Sequence, residues 1–501
     1  MLVPCYKRIL LKTHMFSLAL HSITERIAIQ DWRKVAVILG LSALMGIMIA
    51  MGGLLASAAL LGLPVGILLV SWLFRDAHAG INLSILIGFF SSGIGRYVDA
   101  PWGLLMDAFL FISWLSLLLR KPGTVPWRHL RNDVMLVALI WYGLVVLEIA
   151  NPESNGLVCW FYAMRGAGFY QLLCFGLVFL LYREPKYLDR FLWLMVGYSL
   201  LGTAWGFRQM ITGMDAAEMR WLYVEGHAMT HVLHGVLRVF SFYSDAGQFG
   251  SSQAMVALIC GIIAVGKVKP WERWFYGIAA LVTFIGFAIS GTRGALAVPG
   301  AGAVVYLIMS KNFKILTIGF LMIAGVFIFL KYTFALQGVE QVRRMRTALN
   351  FEDASLQVRL KNQITFGNYL RSRPFGGGIG AAGFWGYRFN PNSLLANTAT
   401  DSYYVKVWAE TGIIGISLHL FMFGFILGKG AGVLWRIRNP VIHIKSLALY
   451  CGVAGILLSS YGNQVFSQMP TGILMGIAIP LIFLAPHYEN LLSKQVSSRP
   501  E

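Results

Sequence analysis

Apolar runs of about 17 to 25 residues follow one another along nearly the whole chain, each long enough as a helix to cross a hydrocarbon core about 30 Å thick. Short stretches rich in Gly, Pro and charge interrupt them. Spans are expected near 35–51, 54–74, 81–98, 102–119, 134–150, 161–182, 191–211, 248–266, 274–290, 294–309, 314–334, 401–428, 444–461 and 470–486. That is about 12 to 14 crossings, the first pair parted only by Gly52 and Gly53. Helices satisfy their own backbone polar groups in lipid, so the pattern predicts an all-α integral membrane protein.

The domain plan follows. A basic N-terminal segment, 1–34, is expected to lie along the inner surface, because MFSLAL is too short for a cleavable signal and no small-residue cleavage site follows it. Transmembrane helices occupy 35–334 and include an outer segment at 212–247. A large outer loop at 335–400, C-terminal helices over 401–486 and a tail at 487–501 complete the chain.

Composition agrees with lipid as the solvent. The chain is 57% hydrophobic and 13% charged, against roughly a quarter charged in a soluble domain. A net charge of +19 would suit nucleic acid, but the basic residues fall in alternate short loops. RKPGTVPWRHLR, YREPKYLDR, GKVKPWER, SKNFK and GKGAGVLWRIRNPVIHIK share one side with both termini, while NPESNG and YGNQVFSQMP carry no Lys or Arg. Lys and Arg are retained on the cytoplasmic side, so both termini are expected there and nucleic acid is not an expected partner. The segments 212–247 and 335–400 then face outward. Cys5, Cys159, Cys174, Cys260 and Cys451 are scattered, without metal or disulfide spacing.

Candidate chemistry gathers on the outer side. SGTRG holds Arg293 between two spans, MRGAGFY holds Arg165 and WGFRQM holds Arg208. LRVFSFYSDAGQFG holds Arg238, Asp245 and Gln248, RPFGGGIGAAGFWG begins at Arg373, and TATDSYYVKVWAETGIIG holds Asp401, Tyr404, Lys406 and Glu410. A lone arginine there would snorkel to headgroups. Together, their forked guanidinium groups suit phosphate, and a lipid pyrophosphate is the ligand at that depth. The glycine-rich stretch either cradles phosphate with its N–H groups or is a plain turn. His227, His231 and His234 share one helix face, without carboxylate or Cys ligands nearby. An interfacial amphipathic helix explains them as well as a metal does.

A helix over 401–428 would be about 42 Å long, overhanging the core by roughly two turns. Asp401 would then sit hydrated at the interface as the functional carboxylate. Glu410, nine residues on, is half a turn out of phase in a straight helix. Spaced i,i+4 from Lys406, it is expected to form a structural pair with it.

SGTRG, RPFGGGIG and DSYYVKVWAETGIIG, in that order and topology over roughly 160 to 430, resemble the O-antigen ligase and Wzy-type polymerase superfamily. The resemblance implies a glycosyltransferase-C-like membrane enzyme with a large helical periplasmic loop. It would transfer a glycan from undecaprenyl pyrophosphate to a glycan acceptor at the periplasmic face of the bacterial inner membrane, without metal or other cofactor. The family's donor-binding arginines correspond to Arg293 and Arg165. Ligases carry His-Asn nine residues before the Glu-x-Gly, whereas this chain has Asp401 and Ser402. A carboxylate can accept the acceptor's proton equally, so the substitution tilts the reading toward polymerisation of O-antigen or exopolysaccharide repeat units. Ligation to lipid A-core is the alternative. The bilayer and a chain-length regulator are further expected partners. A flippase would carry ionisable groups near the midplane. Here the cytoplasmic half of almost every span is uncharged and Asp107 is the deepest isolated acid, which favours a one-sided enzyme.

Overall fold

The structure, a computed structural model, describes residues 32–233, 235–311, 313–338, 340–347 and 354–497. Most of the basic N-terminal segment, Cys5, His234 and the end of the tail lie outside the described residues. The chain falls into two units, Met1–Trp72 and Leu73–Glu501.

In the first unit, the two spans expected over 35–74 are not separate. Helix α1 (Trp32–Arg75) runs unbroken for 44 residues through Gly52 and Gly53. Two glycines weaken a helix by about 1 kcal/mol each but do not end it without a left-handed residue or a proline at the junction.

The second unit contains α2 (Ala77–Gly95), α3 (Gly103–Leu118), α4 (Asp133–Leu147), α5 (Leu157–Met164), α6 (Tyr170–Leu181), α7 (Pro185–Ile211), α8 (Ala246–Val265), α9 (Pro270–Ile289), α10 (Ala297–Met309) and α11 (Phe313–Tyr332). The long segment that follows carries α12 (Glu340–Thr347), α13 (Ala354–Leu370) and α14 (Gly383–Phe389), after which come α15 (Tyr403–Arg436), α16 (Pro440–Ser459) and α17 (Thr471–Ser497). Among the described residues, eight stretches are long and apolar enough to cross a membrane: α2, α4 with its short extension, α5 and α6 together, α8, α9, α15, α16 and α17. Apolar helices of 10–17 residues include α3 and the end of α1. The only strands among the described residues are β1 (Val232–Leu233) and β2 (Val236–Leu237), paired antiparallel. The protein is an all-α, multi-pass integral membrane protein.

Helix starts are written locally. Asn132, Asp245, Ser402 and Asn439 cap α4, α8, α15 and α16 by accepting from backbone N–H groups one turn on. Pro185, Pro270 and Pro440 occupy the first turns of α7, α9 and α16, where no N–H is needed. Glycine sets the closest approach in the core. A β-carbon on Gly455 would stand 2.5 Å from the carbonyl oxygen of Val298, and one on Gly302 would stand 2.8 Å from that of Cys451. Only glycine lets α10 and α16 pack this tightly. At another point of the same bundle, buried Lys445 of α16 bridges Asp189 of α7 and Glu272 of α9, both at 2.7 Å.

Candidate functional site

The uncharged connection between α16 and α17, read from sequence as a short loop, is where the motifs meet. Ser459 Oγ donates to the carbonyl of Gly294 at 3.0 Å. Gly462 lies against Gly294, and Arg359 of α13 reaches within 3.8 Å of where a Gly462 β-carbon would stand. The carbonyl of Ser460 accepts from Tyr403 N at 2.9 Å, and Gln464 Nε2 donates to Thr400 Oγ1 at 2.5 Å. Gln468 Nε2 donates to Asp245 Oδ2 at 3.2 Å, while Gln248 Nε2 donates to Thr471 Oγ1 at 2.7 Å. The carbonyl of Ser467 abuts Gly166, beside Arg165. Arg238 joins through Thr292, whose hydroxyl accepts from its Nη2 at 3.0 Å. The stretches bearing Arg165, Arg238, Asp245, Gln248, Arg293 and Asp401 therefore surround one segment, 459–471.

Other expected ligand-binding residues are engaged elsewhere. Arg208 pairs with Glu218 at 2.7 Å and Asp215 at 2.9 Å and lies 4.3 Å from the Trp205 ring. A guanidinium held by two carboxylates sits in a cluster of net negative charge that repels an anion, so this arginine organises the 212–247 segment. Arg373 sits 3.1 Å from Glu153 and stacks on Tyr369 at 4.1 Å. Tyr404 Oη donates to the carbonyl of Leu457 at 2.7 Å, which ties α15 to α16. Asp107 is not isolated: it accepts from Arg165 at 2.8 Å and from Tyr170 Oη at 2.5 Å. That fixes Arg165 where a five-residue π-helix, Arg165–Phe169, separates α5 from α6.

Asp401 is not on the helix that the sequence placed it on. Ser402 is the N-cap and Tyr403 the first helical residue, while Asp401 lies just before them at φ 50°. Left-handed backbone is uncommon outside glycine, and Asp is among the residues that tolerate it. The phase argument between Asp401 and Glu410 therefore does not apply. The helix is also not straight: Gly412, at φ 62° and ψ −163°, breaks it.

The glycine-rich stretch closes this break. Gly377 N and Gly378 N donate to the carbonyls of Ala409 and Glu410, each at 2.9 Å, and Ile414 N donates to Pro374 O at 3.3 Å. Two carbonyls before the break and one N–H after it, which a helix end would otherwise leave unpaired, thereby gain partners. A β-carbon on Gly376 would stand 2.5 Å from Gly412 N, and one on Gly412 would stand 2.1 Å from Pro374 O. The glycines are there for backbone-to-backbone contact. These N–H groups hold a helix end instead of cradling phosphate.

Beside the break lies a cavity of about 120 Å³ lined by Trp141, Trp385, Tyr403, Lys406, Glu410 and Ser467 among others. Glu410 is 4% exposed. Its Oε1 has no hydrogen-bond partner, so the expected i,i+4 pairing with Lys406 does not satisfy it. The backbone N–H groups of Gly380 and Ala382 face the same carboxylate. Ser467 and Gly166 line the cavity, which makes it continuous with the 459–471 assembly.

Sequence reading missed Arg359, the 459–471 segment and Trp385 of the cavity wall. A signal existed for the segment: Asn463, Gln464 and Gln468 are amides concentrated in a span-to-span turn, and buried amides need partners. Of the histidines, His227 and His231 pack on the Trp221 ring at 4.2 and 5.0 Å, and burial pushes His231 down to about 4.

Comparison with known proteins concerns the same region. Residues 278–420 match the family model described as O-antigen ligase. An O-antigen polymerase from Salmonella muenchen is 30% identical over 195 residues, which covers 37% of this chain and 45% of that protein. The match thus spans just under half the length of that curated relative. The family match runs from α9 across Arg293 and the broken helix, so it is this part of the chain that is similar to O-antigen ligases and polymerases.

Proposed function

We propose that this protein is a glycosyltransferase of the bacterial inner membrane that polymerises undecaprenyl-pyrophosphate-linked oligosaccharide repeat units at the periplasmic face. Both termini and the short basic loops lie on the cytoplasmic side in this reading. The observation that carries it is the convergence of the stretches bearing Arg165, Arg238, Arg293, Arg359 and Asp401 on segment 459–471. An acceptor hydroxyl attacks the anomeric carbon of the donor sugar, the bond from that carbon to the pyrophosphate oxygen breaks, and the proton passes to Asp401. Arg293 and Arg165 hold the pyrophosphate as negative charge develops on it. Those cations supply the charge stabilisation, so the step needs no metal.

Polymerisation is favoured over ligation because a carboxylate stands where ligases carry His, and because the Salmonella relative is named a polymerase. The glycan profile of a deletion strain tests this. Single repeat units accumulating on the lipid carrier bear out a polymerase. Long carrier-linked chains absent from lipid A establish a ligase instead, and an unchanged profile removes both.

A further inference from the structure

The cavity beside the helix break holds polar groups that the transfer step does not use. Glu410 and Tyr403 are 4% and 2% exposed, both line the cavity, and Glu410 Oε1 and Tyr403 Oη have no hydrogen-bond partner. Buried polar atoms are almost always paired, so two orphans in one cavity point to a ligand that brings hydroxyl groups.

Another part of its wall is aromatic. Trp385 of α14 stacks on Tyr162 of α5 at 5.0 Å and 19°, and Phe389 extends the stack 6.2 Å from Tyr162 at 27°. The guanidinium of Arg165 lies 5.3 Å from the Tyr162 ring, so Tyr162, behind the wall, links Arg165 to Trp385 at the cavity. An apolar ligand would leave Glu410 and Lys406 unanswered, and a free anion would face the Glu410 carboxylate. A pyranose has an apolar C–H face and a rim of hydroxyls, and it answers both surfaces.

Resting on the transferase reading above, we infer that this cavity is a subsite for a sugar ring of the glycan. Trp385, backed by Tyr162, lies under its C–H face, and Glu410, Tyr403 and Lys406 meet its hydroxyls. Phe384 and Tyr387 on the same short helix are 70% and 63% exposed and are not among the lining residues. They serve as controls for a merely membrane-facing aromatic rim.

The test uses full-length protein in nanodiscs and two readouts. In saturation-transfer NMR with methyl pyranosides of glucose, galactose, mannose and N-acetylglucosamine, the wild type is expected to saturate sugar C–H protons. Trp385→Leu and Glu410→Gln should lose most of that signal and Phe384→Leu should keep it. In elongation assays with lipid-linked repeat units extracted from the host, Trp385→Leu should raise KM about tenfold with kcat nearly unchanged, and Trp385→Phe should recover most of the loss. Absence of saturation for every pyranoside, or equal saturation in Trp385→Leu, would overturn the subsite even if elongation persists. Pyranoside binding by a wild type that never elongates would leave the subsite standing and remove the polymerase reading.

Discussion

Ser459 Oγ donates a 3.0 Å hydrogen bond to the carbonyl of Gly294, the residue after Arg293. That bond joins the end of α16 to the arginine corner between α9 and α10. It brings the best-marked motif of the chain to a segment with no charge at all. The position of Arg293 is thus set by the amide-rich turn it leans on as much as by its own spans.

Arg293→Ala is expected to abolish polymer formation while the protein inserts at normal levels. Arg293→Lys should restore only part of it, because a point charge lacks the two-pronged contact with phosphate. Polymer length on gels, at matched protein abundance, checks both. Wild-type polymer in the alanine variant would leave this arginine as a headgroup anchor.

Asp401→Asn keeps the side-chain size, and Asn tolerates the left-handed backbone at φ 50°. Loss of the proton acceptor should lower transfer by about 10²–10⁴ with donor binding retained. Single-turnover elongation alongside donor binding separates the two effects. Normal elongation in this variant would shift the base to another group, of which Glu410, lining the adjoining cavity, is the first to test.

Gly412→Ala should cost both abundance and activity. Its φ of 62° and the 2.1 Å that a β-carbon would leave to Pro374 O force apart the glycine-rich stretch and the helix break together. Thermal unfolding in detergent should show a clear fall in midpoint. Gly424→Ala, where a β-carbon would meet nothing within 4 Å, should be neutral or slightly stabilising.

The 212–240 region should loosen as pH falls. Burial lowers the folded-state value of His231 from 6.5 to about 4, so the unfolded chain takes up a proton first. Its stabilising contribution is therefore full above about pH 6.5 and is lost progressively toward pH 4, a change on the order of 2 kcal/mol. Hydrogen exchange at pH 7 and pH 4.5, corrected for intrinsic rates, should show faster opening at the lower pH. His231→Phe should flatten the difference.

Cysteines introduced at Pro126 and Arg436 should be shielded from an impermeant reagent applied outside, while one at Tyr387, which is 63% exposed, should label. Outside labelling at 436 would reverse the assignment of faces.

The sequence by itself determined the solvent, the fold class and most helix positions, since each rests on local properties. A run of apolar residues crosses lipid whatever its neighbours do, and Asn132, Asp245 and Asn439 announce helix starts within one turn. The family-like motifs were legible for the same reason, as short strings in order. Tertiary structure alone decided which charges act together. Arg208 and Arg293 look alike in sequence, yet one is bound by Glu218 and Asp215, while the residue after the other, Gly294, accepts from Ser459 of segment 459–471. The roles of Asp401 and Glu410 rested on one straight helix holding both, and that premise failed because Asp401 precedes the Ser402 N-cap; the helix also breaks farther on, at Gly412. A glycine permits a break but does not require one. What fixed it here was the backbone of Pro374 to Gly378, which supplies hydrogen bonds to both sides of the break.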